Sequence, residues 1–207
     1  MKVYPLTMSF KGSRDYLQGA DIFNALTQTL TAALPSDEQG ATEVFLAIHA
    51  LAHRQCDLQL REYGDDPQAR PQEPLVAQFG MVCRGQEVRA WLTESERPVS
   101  SRLPYREEEI AAATALRGKA IVYVGESRYT PAEVLVAMTK LLHSALLPLP
   151  AGRWILSKLE LAALPLPPAV DGLQIELLHN LNNRLTKSAI TRKGTTLGQI
   201  FFSQVPA

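Results

Sequence analysis

Arg14, Asp15, Tyr16, Asp21 and Asn24 fall within eleven residues, just before and inside a stretch whose apolar spacing predicts a helix. A carboxylate there can take a proton, and a side-chain amide one turn later can orient a water molecule. The unpaired backbone N–H groups of a helix N-terminus can stabilise negative charge developing on a carbonyl oxygen. Asp21 is the candidate base and Asn24 the candidate water-orienting group, with Arg14, Asp15 and Tyr16 as binding residues around them. The same letters also have a plain reading, in which Asp21 favours the positive end of the helix dipole and Asn24 is a solvated helix position.

The histidines offer fewer arrangements. His49 and His53 are four apart in a tract that reads as strand, which would put them on one side but about 13 Å apart, too far for chelation by adjacent side chains. His49 aligns with Glu160 at an offset of 111, so an imidazole and a carboxylate would occupy equivalent places in two halves of the chain, a pairing suited to acid–base work. A half-exposed structural histidine explains His49 as well. His179-Asn180-Leu181-Asn182-Asn183-Arg184 is the densest polar cluster in an apolar tract. Strand alternation would put His179 and Asn183 on one lining face, whereas an Asn-rich turn accounts for the same residues without a site. His143 is expected at the solvent-facing or domain-facing margin of its helix, and Arg106 to Glu109 reads as a solvated helix start. Cys56 and Cys83 have neither metal nor redox spacing and read as partly buried free thiols in strands. Neither a metal nor a cofactor is expected. The chain has no Gly-x-x-x-x-Gly-Lys loop, Gly-x-Gly-x-x-Gly fingerprint, nucleophile elbow or His-Glu-x-x-His pair, which removes the main support for nucleotide, serine-hydrolase and metalloprotease readings.

The elements that must position these groups follow from periodicity and breakers. Residues 2–10 read as a strand that, given Pro5, begins irregularly or lies at an edge. Residues 19–34 read as a helix with Ile22, Phe23, Leu26, Leu30, Ala33 and Leu34 on one face, ended by Pro35 and a polar turn to Gly40. Residues 43–60 read as one long, bent strand, with a helix as the alternative. A polar, mobile loop is expected over 62–74, then strands 75–83 and 87–93 joined across Arg84-Gly85-Gln86. A Pro- and Ser-containing connector leads to a short helix over 107–116 that Gly118 closes, then to a strand over 119–124. Thr130-Pro131-Ala132-Glu133 is a helix-start signature for a helix running to Leu147, stopped by Pro148 and Pro150. Strands follow over 154–164, 173–192 and 195–204, the last two joined across Lys193-Gly194.

The apolar stripe of the first helix recurs 112 positions later as Val134, Leu135, Met138, Leu142, Ala145 and Leu146. Gly12, Ser13 and Arg14 precede the first helix as Gly125, Ser127 and Arg128 precede the second, and a basic-Gly turn follows each. The expectation is an α+β chain of tandem β-α-β-β-β repeats. The first copy would cover 1–95 and the second 119–207, with 96–118 as a linker carrying a short helix. Side by side, the two sheets would cover each other's edges as a pseudo-dimer within one chain, with a homodimer also open.

Lys plus Arg balances Asp plus Glu at 21 each, so no net field attracts a polyanion and nucleic-acid binding is not expected. The N-terminus lacks an apolar signal region, and no run of about 18 apolar residues occurs. No membrane contact is expected, and the default compartment is the cytoplasm.

A strand, a long helix and a run of antiparallel strands around it, twice in one chain, resembles the double hotdog arrangement of the acyl-thioesterase and dehydratase superfamily. The nearest local echo is residues 15–25, Asp-Tyr-Leu-Gln-Gly-Ala-Asp-Ile-Phe-Asn-Ala, similar to the acidic, Gly and Asn-Ala pattern by which some hotdog thioesterases enter their helix. Ala20 stands where that family has a histidine, the glycine-to-asparagine spacing is longer by one, and the second helix start lacks the pattern. The resemblance implies an asymmetric site acting without metal on an acyl thioester of coenzyme A or acyl carrier protein, by hydrolysis, dehydration or acyl transfer. The alternative is a non-catalytic ligand-binding or assembly module on the duplicated scaffold, which the missing histidine favours.

Overall fold

The computed structural model describes residues 1–34, 40–61, 65–66, 69–72, 74–147 and 152–205. Pro35 and most of its turn, residues 62–64, 67–68 and 73 of the polar loop, and Pro148 and Pro150 lie outside the described residues. The chain divides into two compact units, Met1–Tyr105 and Arg106–Ala207.

In the first unit β1 (Lys2–Pro5) pairs, among the described residues, with β4 (Arg54–Leu60) alone, the edge position that is one of the two readings of Pro5. The expected strand over 2–10 is interrupted. Met8 is held instead by the buried Gln55 amide, whose Oε1 accepts from the Met8 N–H at 2.7 Å and whose Nε2 donates to the Met8 carbonyl at 2.8 Å. The chain then enters β2 (Phe10–Lys11), which pairs in parallel with β7 (Arg102–Leu103). Helix α1 (Gly19–Ala33) buries Ile22, Phe23, Leu26 and Leu30 of the stripe read from the sequence, together with Ala20, whereas Ala33 and Leu34 at its end are half-buried. Each large side chain on that stripe contributes about 1.5–3 kcal/mol by leaving water. Phe23 meets Phe79 of the sheet with ring centroids 6.4 Å apart.

The tract 43–60 is strand, as expected, but in two pieces: β3 (Ala41–Ile48) and β4, separated at residues 49–53. The break is forced by pairing. β3 lies against β5 (Leu75–Cys83), whereas β4 lies between β1 and β6 (Gln86–Pro98), so the chain must cross the sheet between them. The order in this unit is β1-β4-β6-β5-β3, all antiparallel.

The second unit opens with α2 (Glu107–Ala112), then β8 (Thr114–Arg117) and β9 (Ala120–Tyr123). The helix expected over 107–116 therefore stops at Ala112. Gly118, at φ +60°, turns a hairpin in which Leu116 pairs with Ile121, rather than closing a helix. Residues 96–118, expected as a linker, thus hold the end of β6, β7, α2 and β8. Helix α3 (Pro131–Leu146) starts at a complete capping box: Thr130 Oγ1 accepts from the Glu133 N–H, and Glu133 Oε2 accepts from the Thr130 N–H at 2.8 Å. His143, expected at a margin, is fully buried, because Trp154 and Phe202 from distant strands close over it.

β10 (Arg153–Leu164) follows, then β11 (Leu173–Leu181), β12 (Leu185–Arg192) and β13 (Thr195–Val205). The tract 173–192 is two strands, because Asn182 and Asn183, at φ +51° and +55°, reverse the chain. The order is β8-β9-β11-β12-β13-β10. After its long helix the second unit carries four strands, one more than the expected β-α-β-β-β, and the first carries five, counting the two-residue β7. The inner orders also differ. The second hairpin strand, β6, lies beside β4 in the first unit, whereas the first hairpin strand, β12, lies beside β11 in the second.

Candidate functional site

The start of α1 is built by a loop with its own fastenings. Arg102 donates to the carbonyls of Gly12 and Arg14, both at 2.7 Å, and the Leu17 N–H donates to the Ala52 carbonyl at 2.8 Å. The cations of Lys11 and Arg14 lie 5.4 and 5.6 Å from the centroid of the Tyr105 ring, within cation–π range. Lys11 Nζ reaches Asp21 Oδ1 at 2.5 Å, and both side chains are mostly buried, at 13% and 14% exposure. Asp21 occupies the first helical turn, where the dipole favours a carboxylate, and Lys11 holds it in place.

Gln18 stands at the N-cap of α1 and makes no capping hydrogen bond. It is 4% exposed, and its Nε2 has no hydrogen-bond partner among the described residues. A buried amide donor without a partner is costly and marks a place where a ligand acceptor would be gained. Reasoning on the sequence missed Gln18, since a glutamine before a helix is unremarkable until its burial is known. α3 is the opposite case: its N-terminus is closed by the capping box, with Pro131 removing one N–H and the buried Glu133 adding negative charge.

Arg14, Asp15, Tyr16, Asp21 and Asn24 all lie in the first unit, and Arg14 is linked to Asp21 through Tyr105 and Lys11. Tyr16 is buried, Asp15 is exposed, and Asn24 is half-buried one turn along from Asp21. The Asp15 carbonyl accepts from His53 Nδ1 at 2.8 Å. His49 is exposed beyond the end of β3, its N–H bonded to the Val76 carbonyl, so the strand geometry assumed for His49 and His53 does not apply. Glu160 lies inside β10 opposite Gln199 and pairs with Lys158 at 2.5 Å. His49 and Glu160 therefore do not hold equivalent places. His179 is exposed on β11, and Asn183 sits in the turn, where its N–H donates to Asn180 Oδ1 at 2.9 Å and its Oδ1 accepts from Asn180 Nδ2 at 2.6 Å. The turn accounts for those asparagines.

Among the described residues no group of three or more His, Cys, Asp or Glu side chains is placed to hold a metal ion, and no helix is long and apolar enough to cross a membrane.

No family model and no curated protein matches the sequence. Solved structures do match the fold. A Thermobifida fusca YX protein assigned as a thioesterase II superposes with a TM-score of 0.51 at 11% identity, over 98% of this chain and 92% of that one. An acyl-CoA thioesterase II from Mycobacterium marinum gives 0.48 at 11% identity, over 99% and 92%. An acyl-ACP thioesterase from Bacteroides thetaiotaomicron gives 0.48 at 8% identity, over 99% and 97%. These are hotdog-fold proteins, and the first likeness establishes the hotdog fold for this chain.

Proposed function

We propose that the chain binds an acyl thioester of coenzyme A or acyl carrier protein at the start of α1 and hydrolyses it. The observation that carries this reading is the contrast between the two long helices: α3 is sealed by its capping box, whereas α1 begins at the uncapped, buried Gln18 beside the Asp21–Lys11 pair. The thioester carbonyl oxygen accepts from the Gln18 amide and the first-turn N–H groups, which face the charge that develops there. Asp21 takes a proton from water, Asn24 orients that water, and Lys11 positions the carboxylate. Oxygen adds to the carbonyl carbon, the carbon–sulfur bond breaks, and sulfur leaves as the thiol carrying the proton.

The site belongs to the first unit alone. The reading also takes the two units as copies of one ancestral unit, supported by the shared order of strand, long helix and four long strands, β3 to β6 in the first unit and β10 to β13 in the second. A binding module without turnover is favoured by Ala20, which leaves the helix start without an imidazole, and by the commitment of Asp21 to Lys11.

Thiol release from a panel of acyl-CoA thioesters, with titration calorimetry on the same panel, separates the readings. Turnover lowered about a hundredfold in Asp21→Asn supports hydrolysis. Binding without turnover, weakened by Gln18→Ala, supports the module. An Asp21→Asn variant with wild-type turnover removes the assigned chemistry.

A further inference from the structure

Beneath α3 the core of the second unit is not wholly apolar. His143 Nδ1 and Nε2, Trp154 Nε1, Thr186 Oγ1 and Ser188 Oγ are buried and have no hydrogen-bond partner among the described residues. They form one layer. The His143 ring lies 4.6 Å from the Trp154 ring and 5.4 Å, edge-on, from Phe202. Phe202 is the direct cross-strand partner of Thr186, and Ile200, two residues earlier on the same face, is the partner of Ser188. Thr139, one turn before His143, is satisfied by the Leu135 carbonyl at 2.7 Å and takes no part.

The first unit supplies a control within the same chain. There the buried polar strand residues are satisfied: Gln55 bonds both backbone groups of Met8, and Thr93 Oγ1 accepts from Gln59 Nε2 at 3.2 Å. Five unpaired polar atoms in one layer would together cost an amount comparable with the net stability of a domain. Such a layer persists only when something satisfies it. The set combines one obligate donor (the indole N–H), one ring donor, one ring acceptor and two hydroxyls that do both. It therefore suits a small neutral guest that also donates and accepts.

We propose that the seam between α3 and strands β10, β12 and β13 is an internal water site, in which ordered water joins the His143 ring to the hydroxyls of Thr186 and Ser188. One buried water per roughly 27 residues is usual, each making about three hydrogen bonds, and this layer offers the partners for such a molecule. The site is independent of the reading given for α1.

The test has two arms. A high-resolution crystal structure of the wild-type chain should show solvent density within hydrogen-bonding distance of Ser188 Oγ or Thr186 Oγ1. Thr186→Val keeps shape and removes one partner of the water. It should therefore raise the equilibrium constant for unfolding about tenfold, as should Ser188→Ala, and the double variant should fall short of the product because both lose the same water. A seam without density overturns the proposal, and so does a Thr186→Val protein more stable than wild type, which is the expected result of deleting an unsatisfied hydroxyl from a dry core. The density decides if a variant fails to fold.

Discussion

Protonating His143 requires an imidazolium in a fully buried site between Trp154 and Phe202. Burial alone pulls its pKa from 6.5 down to about 4. Above pH 6.5 the ring is neutral in both the folded and the unfolded chain, so the residue adds no pH-dependent term. Between pH 6.5 and 4 the unfolded chain binds a proton that the folded chain does not, so stability is lost as pH falls through this window. The loss saturates near pH 4 at about 3 kcal/mol. Urea unfolding of the wild type and of His143→Leu, at steps from pH 7.5 to 4.5, isolates this contribution as the difference between the two curves. Working in a Trp91→Phe background leaves Trp154 to report the second unit. His143→Leu should be the flatter curve, gaining about 2 to 3 kcal/mol on the wild type by pH 4.5. Parallel curves would refute the reasoning. A wild type that gains on the variant under acid would mean that the imidazolium has found a stabilising partner, such as the face of Trp154.

Three other outcomes follow from local geometry. Burial, aided by the carboxylates of Glu94 and Asp57, pushes the Cys56 thiol up to about 12, so a thiol reagent at pH 8 should label Cys83→Ser protein only after unfolding, as mass spectrometry would show. A Cβ on Gly198, where φ is +155°, would stand 2.0 Å from the Glu160 carbonyl oxygen across the β10–β13 pair; Gly198→Ala should cost about 3 kcal/mol or more by denaturant titration. Thr130→Ala, which opens the capping box of α3, should cost about 1 kcal/mol of stability and leave thioester turnover unchanged, since the proposed site lies at the other helix.

Both long helices were legible because each carries its apolar stripe and its boundary signals within about fifteen residues. Thr130-Pro131-Ala132-Glu133 named its own cap, and the closing hairpins announced themselves through Gly85 and Gly194. What escaped depends on partners far along the chain. Residues 49–53 look as strand-like as their neighbours, and only the pairing of β3 with β5 and of β4 with β6 shows why the chain must break there. Thr114 to Arg117 continues a helical composition, yet pairing across Gly118 makes it a strand. His143 was misplaced because Trp154 and Phe202, which bury it, lie 11 and 59 residues away. At the candidate site, the loop Arg14 to Asn24 was readable from residue type. The Lys11 partner of Asp21 and the orphaned Gln18 amide were not, because ion pairing and burial are properties of the folded neighbourhood.

The exchange of inner strands governs one connection. β4 and β5 both run antiparallel to β6, so they point the same way, and the chain from Leu60 to Leu75 must travel back along the length of the sheet before β5 can begin. Strands of seven and nine residues make that return about 25 Å, and the residues between them reach at most about 46 Å when extended. The proline- and aspartate-bearing tract is therefore a tether with a minimum length, open to insertion but closed to a cut that would leave only a hairpin turn. In the second unit the corresponding link, from β11 to β12, needs only three residues. The two arrangements therefore differ by a connection, a difference that no set of point substitutions can supply, since none turns a tether into a turn.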